Sequence, residues 1–452
     1  MADVNRTNGG ANLLALRSHN TALVLDLLRG AGAEGISRLE LAERTGLTPQ
    51  AVSKITARLR EEGLAVEAGH RASTGGKRRT VLRLVPGAGH AVGAHVDRDA
   101  LRAVLVDLAG TVVAERCAAL DLGAGADAVV EAVAGEVEVL AKGVRGGGGG
   151  AWTCPGPDTG PSTGAAELRG EAGMGAAGAG AGSFTGTPEL AAPGPDSKAP
   201  SLSPGSAPEP GAVSHPVSAP RTAVGSPPAF GPLPGAAELL GVGVALPGPL
   251  DHSRGVLHRV TGFPDWDGFP LRDALARRLG VPVVVDKDTN AAALGLAVAG
   301  ERGSFAYLHL GTGLGAGLVV DGAVHRGART GAGEFGHQVV QLDGPPCGCG
   351  DRGCVEALCL AAVARGDLAE AARVLGIAAG NLVALLDIDL VLLGGRTIAT
   401  APDAFLRGVA AVLDERARRA GEEPVPVRAA PGEVADGAAQ LVLGPLFGRA
   451  DA

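Results

Sequence analysis

One segment limits everything else this chain can fold into. Between Gly146 and Ala237 lie 21 Gly and 16 Pro in 92 residues, out of 73 Gly and 30 Pro in the 452-residue chain. The stretch opens with five consecutive glycines and runs through GMGAAGAGAG and SLSPGSAPEPGA with almost no apolar periodicity. Such a composition cannot bury enough apolar surface to offset the entropy of ordering its backbone, so residues 146–237 are expected to be a disordered insertion. Packed structure must then come from 1–145 and 238–452. The glycine is not periodic, which excludes collagen, and 46% apolar residues exclude disorder throughout. No run of about 18 uncharged apolar residues and no charged-then-apolar opening is present, so neither a membrane nor a secreted protein is expected, and a cytoplasmic location is.

Charge divides the remainder. Residues 1–85 hold 13 Lys and Arg against 8 Asp and Glu, a net +5, while the whole chain carries −8. A basic head on an acidic body points to a nucleic-acid-binding module joined to something else. The head shows three helical patterns. Asn20 is placed to cap TALVLDLLR. Ser37-Arg38-Leu39-Glu40 is a capping box that opens a short helix closed by Gly46. Thr48-Pro49 then starts a helix with Val52, Ile55 and Leu59 on one face. Two short helices joined by a Gly-containing turn form the helix-turn-helix plan, whose second helix enters the major groove. Gln50, Ser53 and Lys54 are positioned to reach base edges, and Arg58 to reach phosphate. LAVEAGHRASTGGKRRTVLRLV reads as two strands around a basic tip, a wing carrying Arg71, Lys77, Arg78 and Arg79.

Six Cys are too few for a disulfide scaffold, and Cys347, Cys349 and Cys354 fall within eight residues. His337 lies ten residues before Cys347, and C-x-C-x4-C follows with glycines between the ligands. Glycines let a short loop fold back so that three thiolates and an imidazole converge tetrahedrally on Zn2+; four protein ligands leave no open position, so the zinc is expected to be structural. Cys117 and Cys359 read as buried small apolar residues, and Cys154 falls in the Gly/Pro-rich stretch.

From Gly89 the pattern becomes α/β. AVGAHVDRDALRAVLVDLAGTVVAERCAAL reads as three strands with turns at 97–99 and at Gly110; PVVVDKDTN leads into an Ala-rich helix; SFAYLHLGTGLGAGLVVDGAV is two strands around a glycine turn; LDIDLVLLGG is a late strand. GVALPGPLD (243–251), VDKDTNAAAL (285–294), LGTGLGAG (310–317), GAGEFGH (331–337) and CGCGDRGCVE (347–356) occur in that order. The chain resembles the ROK family of repressors, open reading frames and sugar kinases over all but 146–237, and the head resembles that of the family's regulators.

The resemblance implies a duplicated actin-like, sugar-kinase fold with a structural zinc loop. Its parts are a winged helix-turn-helix at 1–86, a first lobe starting at 87–145, the insertion at 146–237, and the rest of both lobes at 238–452. It makes Asp288 the position of the kinases' general base and assigns Glu334, His337 and Glu356 to sugar hydroxyls. Two departures stand out. Where family kinases carry glycines in the first β-turn to admit ATP phosphates, this chain has Asp97-Arg98-Asp99-Ala100, an Arg in the phosphate space and an Asp that repels phosphate. Lys287 replaces an Asn that contacts sugar; it could pair with Asp288 and lower its basicity, or bind an acidic or phosphorylated sugar. The interval between Cys354 and LDIDLVLLGG is also short, as if part of the second lobe were trimmed.

These readings combine into a sugar-responsive repressor without catalysis, binding a palindromic DNA operator as a homodimer or homotetramer. The alternatives are an ATP-dependent sugar kinase using Asp288, or a zinc-stabilised scaffold that binds no small molecule.

Overall fold

The computed structural model describes residues 19–71, 79–146, 238–258, 260 and 262–449; the Gly/Pro-rich stretch from 147 to 237, with Cys154, lies outside them. The head opens with α1 (His19–Ala31), which buries Val24, Leu25 and Leu28. Asn20, expected to cap this helix, lies within it. After the short strand β1 (Ile36–Ser37), the capping box of α2 (Arg38–Thr45) is formed in both directions between Ser37 and Glu40. Gly46 ends α2 at φ 70°, the left-handed region that glycine adopts without cost. Thr48 accepts the Ala51 N–H to cap α3 (Pro49–Glu61), which buries Val52 and Leu59. Strands β2 (Ala65–Arg71) and β3 (Arg79–Leu84) pair antiparallel as the wing, with β1 on the far edge of β3.

The body repeats one plan twice. In the first lobe β4 (Gly89–Val96), β5 (Ala100–Asp107) and β6 (Val112–Ala119) form an antiparallel meander, followed by α4 (Ala126–Gly146). Strand β7 (Glu238–Leu246) returns parallel to β4. A small hairpin, β8 (Leu250–Asp251) with β9 (Val256–Leu257), and α5 (Leu271–Leu279) precede β10 (Val283–Lys287), parallel to β7. Helix α6 (Asp288–Ala299) then crosses to the second sheet, where β11 (Phe305–Leu310), β12 (Leu314–Val320) and β13 (Ala323–Val324) form the same meander. Helices α7 (Val355–Ala364) and α8 (Leu368–Leu386) fill the short interval before β14 (Leu390–Gly394). After α9 (Arg396–Thr400) and α10 (Pro402–Ala420), β15 (Val427–Ala429) completes the sheet and α11 (Val434–Leu443) crosses back to the first. The orders β10-β7-β4-β5-β6 and β13-β12-β11-β14-β15 are thus equivalent, as the duplicated fold requires. Helix α8 is long and apolar enough to cross a bilayer, but it buries nine residues in the second lobe's core.

Some of the body's glycine is used for backbone contact. A Cβ on Gly243 of β7 would stand 1.8 Å from the Ala438 carbonyl oxygen, and one on Gly437 2.0 Å from that of Ala291. Helix α11 therefore lies directly on the first sheet and on α6, closer than any side chain would allow. Its C-terminal end continues into the head: Val24, Leu28, Leu41 and Leu59 share one core with Ala435, Val442, Leu446 and Phe447. Cys359 is fully buried, as expected, but Cys117 is exposed on the edge strand β6. Strand β6 alternates there between half-buried and exposed positions, and Cys117 takes an exposed one.

Candidate functional site

The strand ends and helix starts of both lobes meet at one cleft of about 80 Å³. Asp288 is the first residue of α6, Glu356 lies in the first turn of α7, and Glu334 precedes the single 3-10 turn that His337 ends. Asp97, Arg98, Lys287, His309 and Thr312 also line it. All the residues assigned to sugar by resemblance are therefore brought together. Glu356 is oriented by the Leu314 N–H at 2.8 Å, and Asp288 accepts the Thr289 N–H at 2.6 Å. Burial raises the proton affinity of Asp288 and the charge of Asp97 adds to this, against His309, the Thr289 N–H and Lys287.

Lys287 pairs with Glu334 rather than with Asp288. Its ammonium, almost fully buried, pairs with Glu334 at 3.1 Å and donates to the Ala332 carbonyl. It is the least of the influences on Asp288, whose pKa moves up rather than down. The bend at Lys287 is held from below by Asp286, which receives Arg326 Nε at 2.8 Å, Asn290 Nδ2 at 2.9 Å and the Lys287 N–H at 2.8 Å.

Beside the cleft, His337, Cys347, Cys349 and Cys354 bring one ligand atom each within 4.8 Å of one another. Cys349 and Cys354 Sγ are 3.7 Å apart, and Cys347 Sγ is 3.6 Å from His337 Nδ1. A tetrahedral ion with metal–sulfur bonds of about 2.3 Å sets ligand edges of about 3.8 Å, so the cluster fits a metal of zinc's size. Burial, then the neighbouring thiols, push the Cys354 thiol up to about 12, a burden that a bound cation removes. Nδ1 of His337 faces the sulfurs while its ring also lines the cleft, so metal and cleft share one imidazole.

Two family patterns match the chain: the ROK family over residues 233–365, and winged helix-turn-helix DNA-binding over residues 24–65. Residues 233–365 thus match the ROK family, and residues 24–65 ahead of them match a winged helix-turn-helix. A glucokinase of Thermotoga maritima is 44% identical over 133 residues, 28% of this chain and 42% of that protein. A xylose repressor of Caldicellulosiruptor bescii is 24% identical over 324 residues, 71% of this chain and 59% of that protein. The chain thus spans less than two thirds of the length of either relative. The crystal structure of a ROK family transcriptional regulator, homologue of the E. coli MLC protein, shares the fold at TM-score 0.62 and 18% identity over 97% of both chains.

The first β-turn of the body, Asp97–Ala100, is crossed by side chains from both lobes. Arg396, at the start of α9, binds both carboxylate oxygens of Asp99 at 2.9 and 3.0 Å. Thr312 Oγ1 donates to Asp97 at 2.9 Å, and the Arg98 guanidinium stands 5.8 Å over the Phe263 ring. Asp99 is therefore neutralised rather than left as a bare repelling charge. Burial works against ionisation of Asp97, but the Arg98 N–H, His95, Thr312 and Arg396 together hold it below the usual carboxylate range. His95, His309 and Arg396 escaped the sequence reading, and Thr312 entered it only as part of LGTGLGAG. The signal for the first three was position, at the C-terminal ends of strands or just beyond, where open α/β sheets place ligands.

On the head, Gln50, Ser53, Lys54 and Arg58 are all exposed along α3. Arg58 is held by Glu62 at 2.8 Å, an exposed i,i+4 pair weak enough for a phosphate to displace. Glu67 of the wing receives Arg38 at 3.4 Å and Arg60 at 3.2 Å, fastening the wing to both helices. Lys77 and Arg78 lie outside the described residues; Arg71 and Arg79 face each other in the β2–β3 register, with their side chains outside the description.

Proposed function

We propose that the protein is a sugar-responsive DNA-binding transcriptional regulator, a repressor of carbohydrate genes that acts as a homodimer or homotetramer on a palindromic operator. The observation that carries this reading is the core shared by α1–α3 and the end of α11. The DNA-reading helix and one wall of the cleft are then parts of one packed body, so a ligand that changes the lobe spacing moves the two heads of a dimer relative to each other. The ligand must bind the two states with different affinity, since equal affinity shifts nothing. Asp288, Glu334 and Glu356 suit sugar hydroxyls because each carboxylate accepts more than one donor. Four carboxylates line the cleft against Lys287 and Arg98, and Lys287 is already paired, which favours a neutral sugar over an acidic or phosphorylated one. Zinc in the Cys3His cluster would be structural, fixing His337 and, through Cys354, Glu356. The Asp99–Arg396 pair and Arg98 fill the turn through which a kinase admits phosphates, which supports a cleft without catalysis.

The test is an electrophoretic mobility shift on the protein's own upstream DNA with a neutral-sugar panel headed by D-xylose and D-glucose. A shift released or strengthened by one sugar is expected; a shift indifferent to all of them removes the effector role, and no shift removes the DNA role. The second reading, a sugar kinase, is favoured by the desolvated Asp288 at the head of α6. ATP-dependent hexose phosphorylation lost in Asp288→Asn would establish it. A scaffold that binds no sugar would give no heat with any sugar by titration calorimetry.

A further inference from the structure

The cleft contains a histidine whose protonation pattern is decided outside it. His309 lines the cleft near the end of β11, and Tyr307 lies two residues earlier on the same face of the strand. Tyr307 Oη and His309 Nδ1 are 2.8 Å apart. The phenol is 4% exposed, and its hydroxyl has no other hydrogen-bond partner among the described residues. Space for that hydroxyl comes from β14, where a Cβ on Gly394 would stand 2.6 Å from the Tyr307 oxygen. Burial first, then the charges of Asp288 and Glu433, keep the phenol protonated.

That proton needs an acceptor, and Nδ1 is the one within reach. If Nδ1 carried the imidazole proton instead, the hydroxyl would be a buried donor with no partner, an arrangement that proteins avoid. With Nδ1 accepting from the phenol, the ring N–H is on Nε2. His309 lines the cleft and its Nδ1 is turned to Tyr307, so Nε2 is the ring nitrogen left for a ligand; a Cβ on Gly311 would stand 3.0 Å from it, and glycine keeps that side clear. The His95 ring meets His309 edge-on at 6.2 Å and holds it from the other side.

We propose that His309 Nε2–H is a hydrogen-bond donor to an oxygen of the bound sugar, and that Tyr307 is the residue that positions it by fixing the tautomer. The inference rests on the sugar-cleft reading and sharpens it. The carboxylates of the cleft can take up sugar hydroxyl protons but cannot serve sugar oxygens that need a donor, and the Lys287 ammonium is committed to Glu334 and Ala332.

The test uses the full-length protein with 15N-labelled histidine. Nitrogen shifts should report the Nε2–H tautomer for His309 in the wild type, identified by loss of its signals in His309→Gln, and a tautomer mixture in Tyr307→Phe. Calorimetry with the sugar that binds wild type best should show about tenfold weaker binding in Tyr307→Phe, and a loss at least as large in His309→Gln. A wild-type Nδ1–H tautomer, or undiminished sugar affinity in Tyr307→Phe, would overturn the proposal. Failure of the sugar reading looks different: no sugar then gives heat with wild type even though His309 shows the Nε2–H tautomer.

Discussion

Acid should weaken the floor of the cleft through one residue. His95, on β4, is half-buried; burial, reinforced by His309, Arg102 and Arg396 against the opposing charge of Asp97, depresses its pKa from 6.5 to about 4. Its Nε2 has no hydrogen-bond partner among the described residues, so replacing the ring by Gln removes no bond at that atom there. The unfolded chain binds the His95 proton more readily than the folded one. Stability present above pH 6.5 is therefore lost as the pH falls toward 4. At about 1.4 kcal/mol per unit the whole window is worth about 3 kcal/mol, of which about 2 kcal/mol is gone by pH 5. Urea midpoints at pH 7.5 and pH 5, followed by fluorescence of the buried Trp266 in a Trp152→Phe background, measure this. Wild type should lose about 2 kcal/mol more than His95→Gln between the two pH values. Subtraction is needed because burial also depresses His90. Equal losses in the two proteins would refute the reasoning.

Cys349→Ser should lower bound zinc and abolish any sugar response; unaltered metal content by mass spectrometry would remove the metal site. Arg78→Ala with Arg79→Ala should weaken binding to all DNA sequences alike and reduce the salt slope by about 1–2, because each arginine that neutralises a phosphate adds about one to it; an unchanged slope means that the wing does not touch DNA. Gly243→Ala should cost more than about 2 kcal/mol in a thermal melt, because its methyl group meets the Ala438 carbonyl at 1.8 Å. A variant as stable as wild type would show that α11 can move away from the sheet.

Much of the fold was legible because its signals are short in range. The Ser37–Glu40 capping box, the Thr48-Pro49 helix start and the strand turns at 97–99 and Gly110 are each written within a few residues, and each formed as read. The Cys3His cluster spans 18 residues, short enough for spacing to show it. Asn20 and Cys117 were misread for opposite reasons. Asn20 is a good cap that a longer helix ran past, and Cys117 fell on an exposed position of β6's alternation.

What the sequence by itself determined was the inventory: a basic winged head, two α/β halves, a thiolate loop, and the carboxylates available to a cleft. The tertiary structure alone decided their partners. Arg396 finds Asp99 across 297 residues, Lys287 finds Glu334 across 47, and the end of α11 enters the core of a head more than 350 residues before it. Neither helical nor strand periodicity carries such information. A local pattern tells which face of an element is apolar, while the charge or ring that meets a given side chain is set by how the elements pack. Tyr307 and His309 make the distinction plain: alternation places both on one face of β11, and only the enclosure around them determines which nitrogen keeps the proton.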